Sequence, residues 1–153
     1  MSTRPVPPAR RSGSSAVERF FTNMHVALYR LSGGMIGGGA GGRSFLILTT
    51  RGRRSGKEYS RPLVYIRDNG RFVVIASNYG KPRHPAWWLN LQAEPHAKVQ
   101  IGRQVIPVTA RAADPEERTR LWSTITERYR NFAEYQQQTT REIPVVILTP
   151  ENR

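Results

Sequence analysis

Between Arg51 and Arg61 the chain carries five Lys/Arg residues (Arg51, Arg53, Arg54, Lys57 and Arg61) against a single acid, Glu58. Charges of one sign this close together repel, and an exposed turn gains no stability from them. Arginine also offers a planar fork of donors that matches the oxygens of phosphate and carboxylate. The stretch Gly52-Arg-Arg-Ser-Gly-Lys57 approaches the phosphate-binding P-loop pattern but is one residue short, and Glu58 stands where Ser or Thr would hold magnesium. It is read as an anion cradle, in preference to a merely solvated hairpin tip.

Aromatic residues supply the second chemical signal. Trp87 and Trp88 stand side by side in Pro85-Ala-Trp-Trp-Leu-Asn90. Adjacent helix positions point roughly 100° apart, so at most one indole faces a core squarely and the other can line a pocket or stack on a planar ligand. Tyr129, Phe132 and Tyr135 recur every three residues, so their rings can share a helix face. Their hydroxyls argue against full burial unless each finds a partner. His25, His84 and His96 show no metal-ligand spacing, cysteine is absent, and there is no G-x-S-x-G elbow, so metal, thiolate and serine-nucleophile chemistry are not expected. An enzyme built from these residues needs a borrowed cofactor.

These residues must be positioned by a scaffold that reads mostly as β from Ser44 onward. Phe45–Thr50 is an apolar run of strand formers, and Tyr59–Ile66 follows the basic turn. Asp68-Asn69-Gly70 is a tight hairpin signal before Arg71–Ser77, and Gly102-Arg103 joins Lys98–Ile101 to Gln104–Ala110. A loop at Asn78–Pro85 leads into a short helix over Ala86–Gln92. Asp114-Pro-Glu-Glu117 starts a longer helix, with Asp as N-cap and Pro at the first helical position. A helical piece at Phe132–Thr140 precedes a last strand, Ile143–Thr149. Tight hairpins cannot build a parallel sheet, so the expected fold is mainly β (α+β), a six-stranded antiparallel sheet closed into a small barrel with flanking helices.

The chain as a whole is strongly basic, with Lys+Arg 24, Asp+Glu 11 and net charge +13 over 153 residues. Such a balance forecasts an anionic partner: nucleic acid, an acidic membrane surface or an anionic small molecule. Residues 1–13 are Pro-, Ser- and Arg-rich and read as a disordered basic arm. Arg10-Arg11 resembles an export signal, but no uninterrupted apolar stretch or cleavage site follows, so a cytoplasmic protein is expected. Residues 14–32 form an amphipathic helical stripe behind the capping box Ser15-Ala-Val-Glu18. A helix packed on its own domain is favoured; the other reading rests it, with the basic arm, on the anionic inner face of the membrane. No apolar run approaches the ~18 residues of a spanning helix. The glycine-rich run at 33–42 satisfies G-x-G-x-x-G at Gly37, Gly39 and Gly42, but it follows a helix and precedes a strand, the reverse of a dinucleotide-binding turn.

Several motifs in series carry a family resemblance: Leu48-Thr-Thr-Arg-Gly-Arg-Arg-Ser-Gly56, Arg61-Pro-Leu-Val-Tyr65, Val74-Ile-Ala-Ser-Asn78, Pro85-Ala-Trp-Trp-Leu-Asn-Leu91 and Ile143-Pro-Val-Val. Over residues 17–149 the chain resembles the deazaflavin-dependent nitroreductases, actinobacterial reductases that use coenzyme F420. The resemblance implies a split β-barrel like that of FMN-binding proteins, over residues 44–150, and hydride transfer from reduced F420 to an electron-poor acceptor such as a quinone, enone or nitro compound. It also implies site residues. Arg53, Arg54, Ser55 and Gly56 would hold the cofactor's phosphate and glutamyl tail, and Tyr59, Ser60, Arg61, Pro62, Leu63 and Val64 would run along tail and ring. Ala76, Ser77 and Asn78 would meet the ring edge, and Ala86, Trp87, Trp88, Leu89 and Asn90 would close the pocket. Tyr129, Phe132 and Tyr135 would face the substrate, with Ser77 and Tyr129 as hydrogen-bond or proton donors. Phe132 and Val64 stand where the best-known nitroimidazole-activating member has tyrosines, so the resemblance implies cofactor binding more firmly than nitroimidazole activation.

Two other readings stay open at this point. One is a basic barrel binding single-stranded nucleic acid, with the arginine turn beside aromatic stacking platforms. The other is a non-catalytic FMN- or haem-binding module on the same fold. The Trp pair sits in a Pro-bounded helix rather than alternating along an exposed strand, so nucleic acid is not the favoured partner.

Overall fold

The computed structural model describes residues 44–151. The basic arm, the amphipathic stripe at 14–32 and the glycine run lie outside the described residues. Seven strands and three helices follow in order: β1 (Phe45–Arg51), β2 (Glu58–Val64), β3 (Ile66–Asp68), β4 (Arg71–Ile75), α1 (Ala86–Ala93), β5 (His96–Ile101), β6 (Gln104–Ala112), α2 (Pro115–Arg128), α3 (Asn131–Gln137) and β7 (Val145–Pro150). A tight turn, Asn78–Gly80, with all three residues at positive φ, separates β4 from α1.

All strands join one antiparallel sheet in the order β2-β1-β5-β6-β7-β4-β3. Its two end strands, β2 and β3, are separated in the chain by Tyr65 alone. Ends one residue apart force the sheet to curl round on itself, so the barrel is closed by the covalent chain where the hydrogen-bonded ladder is split. This corrects the expected count of six strands. The run Tyr59–Ile66 is two strands, because Val64 is the last residue to pair with β1 and Ile66 pairs instead with Val73 of β4. Tyr65 sits at the corner, its N–H donating to the Ser44 carbonyl (3.1 Å) and its ring edge-on to Phe72 at 5.9 Å. Pro62 is tolerated because β2 is an end strand and its missing N–H costs no ladder bond on the outer side.

Strand alternation builds two cores. Phe72, Val74, Val146 and Leu148 point into the barrel with Leu46, Leu48, Val99, Trp88 and Leu91. Val73, Ile75, Val145 and Ile147 point outward beneath Leu121 and Ile125 of α2 and Phe132 of α3. β4 and β7 are therefore apolar at nearly every position, being covered on both faces. Both expected hairpins form, with Asn69 and Gly70 at φ 50° and 77° and Gly102 at φ 59°. Helix α2 starts as the sequence implies: the Asp114 carboxylate accepts from the Glu117 N–H (2.9 Å), and the Glu117 side chain accepts from the Asp114 N–H (3.1 Å).

Charge ties the β3–β4 hairpin to α2. Asp68, whose side chain is 11% exposed, meets Arg71 at 2.6 Å and Arg120 at 2.8 Å. Hydrogen bonding from Arg120 above all, with Arg71 beside it, holds the Asp68 carboxyl at about 2, against the burial that pushes it upward. A depressed carboxylate contributes stability above its unfolded value and loses it as pH falls through the folded one. Asp68→Asn is thus expected to cost about 1–2 kcal/mol at neutral pH, allowing for screening through half-exposed Arg120. In urea unfolding, that difference from the parent should disappear as the pH is lowered from about 4 to about 2.

Candidate active site

The basic turn between β1 and β2 is closed tightly. The Gly52 N–H donates to the Lys57 carbonyl (2.7 Å), the Gly56 N–H to the Gly52 carbonyl (2.9 Å), and Gly56 lies at φ 71°. A Cβ at Gly52 would lie 2.5 Å from the Tyr59 ring and 2.8 Å from Ser55 Oγ, so any larger residue would displace one of these two side chains. The Ser55 hydroxyl is linked to the Tyr59 hydroxyl (3.1 Å) and accepts from the Lys57 N–H (3.2 Å). Buried Asn90 pins the turn to α1: its Oδ1 accepts from the Arg53 N–H (3.2 Å) and Arg53 Nη1 (3.0 Å), while its Nδ2 donates to Thr50 Oγ1 (3.3 Å). Among the described residues none of Arg51, Arg53, Arg54, Lys57 and Arg61 forms an ion pair, because Glu58 pairs with Lys98 instead (3.6 Å). Among the described residues, five cations without an ion-pair partner thus stand on one turn and the two strands it joins.

That strand leads into a cleft of about 410 Å³. One wall is Phe45 with Arg61, Pro62, Leu63 and Val64 of β2; a second is Ile75, Ser77, Asn78 and Tyr79; the third is Pro85, Ala86 and Trp87 at the start of α1, with Asn131, Phe132 and Tyr135 of α3. The start of α1 has no acidic residue and no side-chain cap, so its positive end faces the cleft unneutralised. Asn90 lies four residues along α1 from Ala86, which places the basic turn about 6 Å of helix rise from the cleft wall.

The wall after β4 is built against conformational preference. Asn78, Tyr79 and Gly80 have φ of 45°, 57° and 76°, a left-handed turn that costs a non-glycine residue about 1–2 kcal/mol. Three devices hold it. A Cβ on Gly80 would lie 2.8 Å from the Tyr135 carbonyl, so glycine lets the turn press directly on α3. Asn78 Nδ2 donates to the Arg83 carbonyl (2.9 Å). Arg141 spreads its guanidinium over the carbonyls of Ser77 (2.6 Å), Lys81 (2.9 Å) and Ala76 (3.3 Å) and donates to His84 Nδ1 (3.1 Å). Because arginine only donates, His84 accepts at Nδ1 and carries its proton on Nε2. Burial, then the Arg141 charge, push the His84 imidazole below its usual value, which keeps it neutral.

Ten of the residues implied by the sequence therefore line one cleft: Arg61, Pro62, Leu63, Val64, Ser77, Asn78, Ala86, Trp87, Phe132 and Tyr135. Arg53, Arg54, Ser55, Gly56, Tyr59 and Ser60 lie on the adjoining turn and the start of β2. Both indoles are buried in the barrel core, against the expectation that at most one would face it, because the core wraps round this side of α1; Trp87 also lines the cleft. Neither is an exposed stacking platform of the kind a strand of nucleic acid would use. Ala76 is fully buried behind the wall, Leu89 is half-buried outside the cleft, and Asn90 serves the turn. Tyr129 is 5% exposed and does not line the cleft; it packs edge-on behind Phe132 at 6.1 Å, and its hydroxyl accepts from the Ser44 N–H (3.3 Å). The hydroxyl thus finds the partner that burial requires, where the sequence argued against full burial. Cleft residues that the sequence reading missed are Phe45, Ile75, Tyr79, Pro85 and Asn131. For Tyr79 a signal existed, since Asn-Tyr-Gly is a turn tripeptide ending in glycine. Among the described residues no cluster of three or more His, Asp or Glu side chains is placed to hold a metal ion.

An apolar slot beside uncompensated cations suits a ligand with a flat ring and a polyanionic tail. Comparison with known proteins points to one. A family profile described as F420H(2)-dependent quinone reductase matches residues 21–150. The F420H(2)-dependent quinone reductase Rv1261c of Mycobacterium tuberculosis (strain ATCC 25618 / H37Rv) is 36% identical over 130 residues, spanning 82% of this chain and 87% of that protein. The solved structure of an F420-H2 dependent reductase, FDR-A, aligns with TM-score 0.63 at 42% identity, over 68% of this chain and 92% of its own. The haem storage protein HutZ of Vibrio cholerae aligns with TM-score 0.57 over 86% of this chain and 92% of its own. At 13% identity that likeness speaks for the split-barrel architecture alone.

Proposed function

The chain belongs to the F420H(2)-dependent quinone reductase family, and on that premise we propose that it reduces a quinone in the cleft between β2, α1 and α3. The observation that carries the reading is the pairing of five uncompensated cations with an apolar slot of about 410 Å³. Reduced F420, when bound, supplies a hydride. Arg53 and Arg54 would hold its phosphate and acidic tail, with Arg61 continuing the positive track to the cleft. Leu63, Val64, Ala86 and Trp87 give the ring its apolar walls and exclude water from the reacting faces.

A quinone that accepts a hydride also develops charge on oxygen, which must be stabilised and then protonated. Ser77 is the residue best placed for this. It lines the cleft, its hydroxyl has no hydrogen-bond partner among the described residues, and its carbonyl is locked by Arg141 at 2.6 Å. Tyr129 acts through Phe132, one ring removed from the acceptor, and positions rather than touches it.

The test is anaerobic turnover of reduced F420 with 1,4-naphthoquinone, followed by the return of oxidised-cofactor absorbance. The parent should turn over. Ser77→Ala should lower kcat about 10–100-fold, the range for one oxyanion donor or less, while Tyr129→Phe stays within about threefold, below the effect of a direct proton donor. A parent that binds F420 but oxidises none of it in the presence of quinones would sink the reading.

A further inference from the structure

We propose that Tyr79 determines acceptor specificity: with Tyr135 it forms an aromatic corner at the rim of the cleft that favours planar acceptors of two fused rings over single-ring ones. The inference deepens the quinone-reductase reading and rests on it.

Among the described residues, neither core explains the Tyr79 ring. Its backbone lies at φ 57° and ψ 27°, where glycine or asparagine fits and an aromatic residue is rare. The residue is 70% exposed, so it contributes little to either core. Yet its place is fixed from both sides, by the close approach of Gly80 to the Tyr135 carbonyl and by the Arg141 contacts on Ser77 and Lys81. The result is a tyrosine held at one point on the cleft rim, at a conformational cost that a glycine would not incur.

The geometry says what the ring can do there. Tyr79 and Tyr135 both line the cleft, with centroids 6.0 Å apart and planes at 82°. Tyr135 continues edge-on to Phe132 at 6.2 Å and 73°, which ties the corner to the wall beneath. Two rings near a right angle form a corner in which a flat guest lies on one face while its hydrogen-bearing edge meets the other, the arrangement aromatic pairs prefer. A single-ring guest covers one of these faces. A fused pair of rings reaches both.

The test uses the full chain carrying F420, with 1,4-naphthoquinone and 1,4-benzoquinone as acceptors. Tyr79→Gly should raise KM for the naphthoquinone about tenfold, equivalent to 1.4 kcal/mol, with kcat and the F420 dissociation constant unchanged. Benzoquinone values should move less than about twofold on the same scale. Tyr79→Phe, which keeps the ring, should behave as the parent. The melting temperature of Tyr79→Gly should not fall, because glycine relieves the left-handed backbone. Equilibrium binding of each quinone, read by quenching of tryptophan fluorescence with Trp87 in the cleft wall, repeats the comparison without turnover. A parent that binds naphthoquinone in preference to benzoquinone without reducing it would end the reductase reading and leave the corner standing. An equal loss for both quinones in Tyr79→Gly, or no loss for either, would overturn the proposal.

Discussion

Arg141→Met should destabilise the domain by about 2–4 kcal/mol, the scale of losing several hydrogen bonds to a charged donor that is half-buried. Three carbonyls, those of Ala76, Ser77 and Lys81, lose their donor together, and so does His84 Nδ1. Methionine restores the volume but none of these bonds. Lysine brings a point charge in place of a planar fork and cannot span all four acceptors, so Arg141→Lys should recover less than half of the loss. Urea unfolding measures both. The same variant reports on acid sensitivity. An imidazole held below its usual value of 6.5 contributes stability above that pH and loses it as pH falls, and for His84 burial comes first and the Arg141 charge second. Removing Arg141 should therefore flatten, without abolishing, the loss of stability from about pH 7 to pH 5. His96, raised by its hydrogen bond to Glu151, titrates in the opposite sense and cancels between parent and variant. An Arg141→Met protein as stable as the parent would mean that water satisfies the four acceptors and that the turn holds itself.

The second large effect belongs to the basic turn. Arg53→Ala and Arg54→Ala should each weaken F420 binding by about 1.5–3 kcal/mol, the scale of a hydrogen bond to a charged group. The two are not equivalent. Arg53 is also bonded to Asn90 through both its amide and its guanidinium, so its loss frees part of the turn, whereas Arg54 is exposed and has no protein partner in the described residues. Arg54→Ala is the cleaner probe, with stability unchanged. Affinity should fall with added salt, as screening of exposed charges requires, and more steeply for F420 than for FMN, which lacks the acidic tail. Equal affinity for both cofactors, indifferent to salt and to either substitution, would remove the turn from the site.

How much of this was legible in the sequence depended on how local each cause was. Asn69-Gly70, Gly102-Arg103 and the Asp114–Glu117 cap are decided within four residues, and each stands where the sequence put it. The break at Tyr65 was not legible, because Leu63-Val-Tyr-Ile66 is a continuous apolar run with no Gly, Asn or Asp to mark a corner. What ends β2 is the exhaustion of its partner β1 at Phe45, a fact about a different segment. Arg141 was silent for the same reason: it lies 57 residues from His84 and 64 from Ser77, and its partners are mostly carbonyls, which leave no mark on composition. The motifs placed the cleft. Which side chains enter it was settled by helix phase, as Trp87 and Trp88 illustrate.

The strand order has a consequence for how the domain is made. β1–β2, β3–β4 and β5–β6 are local hairpins that can pair as soon as they leave the ribosome. β7 is the last of the seven strands to be synthesised, and it alone joins β6 to β4. Before it emerges, the nascent chain holds a four-strand piece and a two-strand piece with no ladder between them, and the edge of β4 that pairs with β7 is open. The cleft, whose walls come from both pieces, does not exist on the nascent chain. Cofactor can therefore trap the finished protein but cannot guide its synthesis, and the interval of exposed β4 is where a holdase chaperone has something to bind.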